Sequence, residues 1–223
     1  MIPLRDTIPS RRFPIMNYLI ICVNTIIFIY EILLGTQLDR FLFKYGLVPI
    51  YFIAAFKIEE ISVWSAFVPF FTSMFLHGGW MHLIGNMWFL YVFGDNVEDK
   101  LGHIKYLFFY ISCGVIAAVS QLIISWGSRV PMIGASGAIA GVLGAYMILF
   151  PHSRVLTLVP IFVFIQLVEI PAFVFLFLWF VMQFFYGAVS FVAISQGGVA
   201  WWAHIGGFVA GIFLIRVLRG RWY

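Results

Sequence analysis

Charge is scarce in this chain. Asp, Glu, Lys and Arg make up 10% of its 223 residues, against about 25% in a soluble domain, which excludes a surface solvated mainly by water. Two cysteines, Cys22 and Cys113, each stand alone in an apolar run, so neither a disulfide framework nor a metal knuckle can be built from them. There is no HExxH, and His77, His82 and His204 have no supporting carboxylate in their segments, so a zinc enzyme is not expected. Asp95 has no facing aspartate in another span, which leaves an intramembrane aspartyl protease without its pair. No metal and no cofactor are expected. The 13 Lys and Arg outnumber the 9 Asp and Glu, for a net charge of +4. They sit at the chain ends and between apolar runs rather than in a stripe, so no nucleic-acid partner is expected. The first apolar run is too long for the h-region of a cleavable signal and has no small-residue cleavage site behind it.

What the chain has in abundance is apolar bulk. Hydrophobic residues make up 63%, among them 26 Phe, and the mean hydropathy is +1.04. The solvent these side chains fit is the lipid bilayer. A helix needs roughly 20 apolar residues to cross a ~30 Å hydrocarbon core, and six segments qualify or nearly do, at residues 17–34, 67–94, 104–126, 136–150, 170–193 and 201–218. The fold class expected is an all-α polytopic membrane protein, a bundle of six transmembrane helices forming one domain over 1–223. The fourth span is short and rich in glycine, which places it inside the bundle. Residues 1–16 form an N-terminal cytoplasmic segment and 219–223 a cytoplasmic tail. Residues 35–66 mix Asp39, Arg40, Lys44, Lys57, Glu59 and Glu60 with aromatics and read as a loop lying in the membrane interface. Residues 156–168 read as the approach to the fifth span or part of it, and 173–185 as lipid-facing bulk. His103 and His152 fall at helix ends and read as solvated.

Nine of the thirteen basic residues lie on one side if the N terminus is cytoplasmic, which by the positive-inside rule favours both termini inside. The second, fourth and sixth spans then begin at the outer face. Polar residues within spans are costly and are functional candidates by default. The second span opens with His77, His82 and Asn86, the fourth with Ser136 and the sixth with His204. Gly137, Gly141 and Gly144 fall within about one-sixth of a turn of one another, and Ala203, Gly207 and Gly211 recur every fourth residue. Such smooth faces let transmembrane backbones approach closely, and His204 lies at the edge of one of them. If the fourth span is its neighbour, His204 meets Ser136 just below the outer surface.

The chemistry follows from the residue types. A serine hydroxyl needs a base within hydrogen-bond reach to become a nucleophile, and His204 can supply it. At the start of a helix the backbone N–H of Ser136 is free and the dipole favours an oxyanion, with Asn86 and His82 as further donors. No carboxylate is placed to orient the histidine, so the expected unit is a Ser–His dyad. His77 reads equally as a structural or a functional group.

Three motifs together resemble the rhomboid family of intramembrane serine proteases: GASG at residues 134–137, AHIGG at 203–207 and HGGWMHLIGN at 77–86. The resemblance runs over nearly the whole chain and implies a six-helix fold, catalytic Ser136 and His204, and an oxyanion site of Asn86, His82 and Ser136. It implies a water-filled cavity and cleavage of the transmembrane segments of single-span membrane proteins near the outer surface; the fifth helix is a candidate gate, and which helix gates substrate entry stays open. The membrane expected is a bacterial cytoplasmic membrane, and the oligomeric state stays open. Two departures stand out: Trp64 is followed by Ser65 where many relatives have Arg, and Ala140 stands where many have an aromatic ring. The alternative is a catalytically silent relative that binds membrane segments and hands them on.

Overall fold

The computed structural model describes residues 1–59, 62–161, 164–190 and 198–219. Glu60 of the interfacial stretch, residues 191–193 of the fifth expected span and residues 220–223 of the tail lie outside them. Six helices form the bundle: α1 (Ile15–Leu33), α6 (Trp80–Leu101), α7 (His103–Ile124), α8 (Ser136–Leu149), α9 (Ala172–Ser190) and α10 (Trp201–Leu218). Four of them, α1, α7, α9 and α10, are long and apolar enough to cross a membrane by themselves. Helix α6 has 22 residues but ends on Asp95, Glu98, Asp99 and Lys100. Helix α8 has only 14, or roughly 21 Å, about 9 Å less than the hydrocarbon core. Its residues from Gly137 through Met147 are all buried, so its neighbours cover it. The chain is a multi-pass integral membrane protein.

Close backbone contact holds α8 in place. A Cβ on Gly207 would overlap the carbonyl oxygen of Gly137, one on Gly211 that of Gly141, and one on Gly144 that of Phe208. The Gly207–Gly211 face of α10 therefore packs on the backbone of α8, whereas of the three expected α8 glycines only Gly144 points first at α10, Gly141 facing Cys113 of α7. Gly137 itself looks the other way, its absent side chain facing Ala117 Cβ of α7 at 2.6 Å. Between α6 and α7 only Gly102 intervenes, at φ +76°, a left-handed turn that glycine adopts without a Cβ penalty.

Three expectations need correction. The second span does not run over 67–94; α6 begins at Trp80. The residues before it form α4 (Val63–Phe67), α5 (Pro69–Thr72) and a 3-10 turn at Ser73–Phe75, because Pro69 cannot continue a helix and fits only its first turn, and Gly78-Gly79 breaks the pattern again. Residues 156–161 and 164–168 are neither helix nor loop. They belong to the strands β2 (Arg154–Ile161) and β3 (Phe164–Pro171), which join β1 (Ile2–Asp6) in one antiparallel sheet ordered β1-β2-β3. The β-branched Val155, Thr157, Val159, Ile165 and Val168 favour strands, and Pro160 disfavours a helix. His103 is not simply solvated: its Nδ1 is 2.5 Å from Glu98 Oε1. The same carboxylate accepts the N–H groups of Met16 and Asn17 at 2.9 and 2.7 Å, capping the otherwise unpaired amino end of α1.

The interfacial stretch contains α2 (Leu38–Tyr45) and α3 (Pro49–Ala54). It is tied to the α7–α8 connection without an arginine after Trp64. Leu47 and Met132 exchange backbone hydrogen bonds of 3.0 and 2.8 Å, the Ile50 N–H donates to Ser128 O, and Thr72 Oγ1 donates to Tyr45 O at 2.6 Å.

Candidate active site

The start of α8 opens into a cavity of about 960 Å³ lined by His82, Asn86, Ser136, Trp179, Gln183 and His204, among others. Its two central groups come from the two helices in close backbone contact. His204 Nε2 lies 2.7 Å from Ser136 Oγ. His204 is 7% exposed, and its other ring nitrogen, Nδ1, is 2.8 Å from Gln183 Oε1 of α9.

That contact decides the tautomer. Gln183 Nε2 donates to the Trp179 carbonyl at 3.2 Å, which leaves its Oε1 as the atom facing His204. An amide oxygen only accepts, so Nδ1 carries the proton and donates. Nε2 is then a lone pair, and the Ser136 hydroxyl donates to it. The ring is held on two further sides, by Trp179 at a centroid distance of 5.9 Å and by Trp201 edge-on at 6.0 Å. The ring missing at Ala140 is thus replaced from α9.

Asn86 is 8% exposed, and its Nδ2 has no hydrogen-bond partner among the described residues. His82 Nδ1 accepts the Gly78 N–H at 3.3 Å, so in the neutral ring Nε2 carries the proton. Gly134, at φ +125°, passes so close that a Cβ there would sit 2.7 Å from His82 Nε2 and 3.7 Å from Ser136 Oγ. Only glycine fits, on both conformation and space. Ser136 opens α8, so its backbone N–H has no intrahelical acceptor.

His77 is buried behind His82, the rings edge-on at 5.2 Å. Its backbone N–H donates to the Glu31 carboxylate of α1 at 3.2 Å, a structural tie. The structure thus brings Ser136, His204, His82 and Asn86 to one cavity. Sequence reasoning missed Gln183 and Trp179, because 173–185 read as lipid-facing bulk. Phe175, Leu176 and Gln183 are in fact buried. The available signal was Gln183 itself, a polar side chain amid an apolar span.

The family model described as Rhomboid domain matches residues 62–221. The chain belongs to the rhomboid family. Among curated proteins, this rhomboid is 33% identical over 165 residues to RHOMBOID-like protein 5 of Arabidopsis thaliana, covering 74% of this chain and 47% of that one. It is 34% identical over 91 residues to Rhomboid protein 1, mitochondrial, of Saccharomyces cerevisiae, covering 39% and 26%. To the Presenilin-associated rhomboid-like protein, mitochondrial, of Bos taurus it is 32% identical over 99 residues, covering 43% and 26%. The matched regions span about a quarter to a half of those relatives' lengths. Their names place two of the three in mitochondria, which lends no support to the bacterial membrane expected from the sequence.

Proposed function

We propose that this rhomboid is an intramembrane serine endopeptidase, using Ser136 as nucleophile and His204 as base to cleave transmembrane segments of single-span membrane proteins near the face that carries the cavity. The observation that carries the reading is the Ser136–His204 hydrogen bond, in a tautomer suited to proton abstraction. Ser136 Oγ attacks the scissile carbonyl carbon and its proton passes to His204 Nε2. The imidazolium gives that proton to the leaving amine, and an acyl-enzyme remains for water to hydrolyse with His204 again as base. Asn86 Nδ2, His82 Nε2 and the Ser136 N–H are the donors for the oxyanion. Both termini are cytoplasmic, on the balance of basic residues, and the cavity opens on the opposite side. A helical substrate hides its carbonyls in internal hydrogen bonds, so it must unwind to react, and segments with Gly or Pro near the cut are favoured.

The deciding experiment is reaction of the purified protein with a serine-directed phosphonate. Stoichiometric modification mapped to Ser136 and absent from Ser136→Ala is the expected result. A protein that binds membrane segments yet stays inert to the phosphonate is the silent relative instead. Asn86→Ala is expected to lower kcat by about 10²–10³, the usual loss for one oxyanion donor. A change in KM alone would reassign Asn86 to substrate binding.

Gln183 has the role that a carboxylate has in a triad, as a positioning residue. Gln183→Leu leaves the His204 Nδ1–H without its acceptor. A buried donor left unpaired costs about 1–3 kcal/mol, so kcat is expected to fall by about 5- to 150-fold with KM little changed. Gln183→Glu restores an acceptor and is expected to recover part of the loss. Equal loss in both variants would make Gln183 a packing residue only.

A further inference from the structure

Helix α1 carries one acid that the reaction does not use. Glu31 is its only Asp, Glu, Lys or Arg, and an ionisable group inside a span is a functional candidate by default. It stands two residues from the helix end, where an outward-turned side chain would reach water. It turns inward instead. Glu31 is 1% exposed and completes the buried stripe Asn17, Ile20, Asn24, Phe28 and Glu31, whose spacing of three or four residues defines one helix face.

What that face meets is the approach to α6. Both carboxylate oxygens of Glu31 accept the backbone N–H of His77, at 3.3 and 3.2 Å. Phe28, one turn earlier, packs edge-on against the His77 and Trp80 rings at 6.4 and 5.1 Å. The ring nitrogens of His77 have no hydrogen-bond partner among the described residues, so the polar tie to α1 runs through the main chain. The next N–H along, that of Gly78, donates to His82 Nδ1 at 3.3 Å. Glu31 and His82 thus hold two consecutive amides of one short linker. Gly78-Gly79 gives that linker the greatest backbone freedom a dipeptide can have, so the amide that His82 depends on has no rigid support of its own. Its bond to His82 is already longer than the usual range of about 2.7–3.2 Å, and a small shift of the linker would break it.

We infer that Glu31 is a positioning residue for the oxyanion site: by holding the His77 amide, it keeps the Gly78 N–H on His82 Nδ1 and so keeps the His82 proton on Nε2. The inference rests on the reading of His82 as an oxyanion donor. A neutral imidazole carries one N–H. With Nδ1 occupied as an acceptor, that N–H is at Nε2, the atom beside Gly134, whose absent Cβ would also neighbour Ser136 Oγ. Once the Gly78 N–H moves away, either nitrogen can hold the proton. The Nδ1–H tautomer presents a lone pair where the oxyanion forms, which repels the charge instead of stabilising it. The acid itself takes no part in proton transfer, and an amide oxygen in its place would serve.

The test compares Glu31→Leu and Glu31→Gln in the full chain. Nitrogen-15 spectra of the histidine rings at neutral pH, with His82 assigned by its absence from His82→Ala, report which ring nitrogen carries the proton. Wild type and Glu31→Gln are expected to show His82 protonated on Nε2 with Nδ1 as acceptor, and Glu31→Leu the averaged signals of an unfixed neutral ring. A wild-type His82 protonated on Nδ1 overturns the inference, and so do Glu31→Leu signals that match wild type. Turnover supplies a second arm. Glu31→Leu is expected to lower kcat by up to about 10²–10³, the loss of one oxyanion donor, with KM little changed, and Glu31→Gln to recover most of it. In the His82→Ala background, Glu31→Leu is expected to have no further effect on kcat, because both substitutions remove the same donor. Losses that multiply would make Glu31 a residue of the fold alone and overturn the inference. A wild type without turnover would count against the protease reading, while the ring spectra would still decide the role of Glu31.

Discussion

Ser136→Ala is expected to abolish turnover of a membrane-embedded substrate while leaving the protein folded. Loss of the nucleophile of a serine protease lowers kcat by on the order of 10⁶, below detection for an enzyme of ordinary speed. The structural cost is small, because the substitution deletes one oxygen whose hydrogen bond is to His204 Nε2, and such a bond contributes about 0.5–1.5 kcal/mol net. His204→Ala is expected to match it in activity but to lose more stability, since the ring also packs against Trp179 and Trp201. The assay compares purified wild type and variants in nanodiscs, with thermal midpoints measured on the same preparations. Turnover retained by Ser136→Ala at wild-type stability would remove the proposed mechanism.

Gly207→Val is expected to prevent the bundle from forming its native core. The added Cβ would collide with the Gly137 carbonyl, and a backbone atom inside a packed helix pair cannot swing aside as a side chain can. Overpacking typically costs about 1–3 kcal/mol, and a clash with backbone places this case at or above that range. The sensitive readouts are monodispersity in detergent and the thermal midpoint. Gly85→Ala is the control, because nothing lies within 4 Å of its missing Cβ, and in a helix the change is favourable by up to about 1 kcal/mol. A Gly207→Val protein of normal stability would mean that α8 and α10 are not in backbone contact. Because that contact also sets Ser136 opposite His204, activity is expected to fall with stability in any variant of this face.

Much of the site could be read from the chain. Ser136, His204, His82 and Asn86 stood out because a polar group in a span has no solvent to hide in, so its presence needs a reason. The helix pairing was legible in Gly207 and Gly211, since glycine at every fourth position creates a flat strip that only another backbone fills. Gln183 was hidden among the aromatics of α9, as nothing local distinguishes a residue facing lipid from one facing a cavity. The hairpin was hidden for a related reason. A run of apolar β-branched residues fits a buried strand or a helix alike, and its pairing partner β1 lies about 150 residues away at the other end of the chain.

By itself the sequence determined the medium and the cast: a lipid-embedded bundle of six helices, with a serine and a histidine in family motifs at the starts of two of them. Those features are local, fixed by hydropathy over one helix length and by residue type. Only the tertiary structure decided which nitrogen of His204 faces Ser136, what holds that ring, and which face of α8 meets α7 rather than α10. These depend on how helices distant in the chain rotate against one another, a few degrees of rotation moving a hydrogen bond in or out of reach. No periodicity within a single segment encodes that angle; it is set where Gly137 and Gly207 touch.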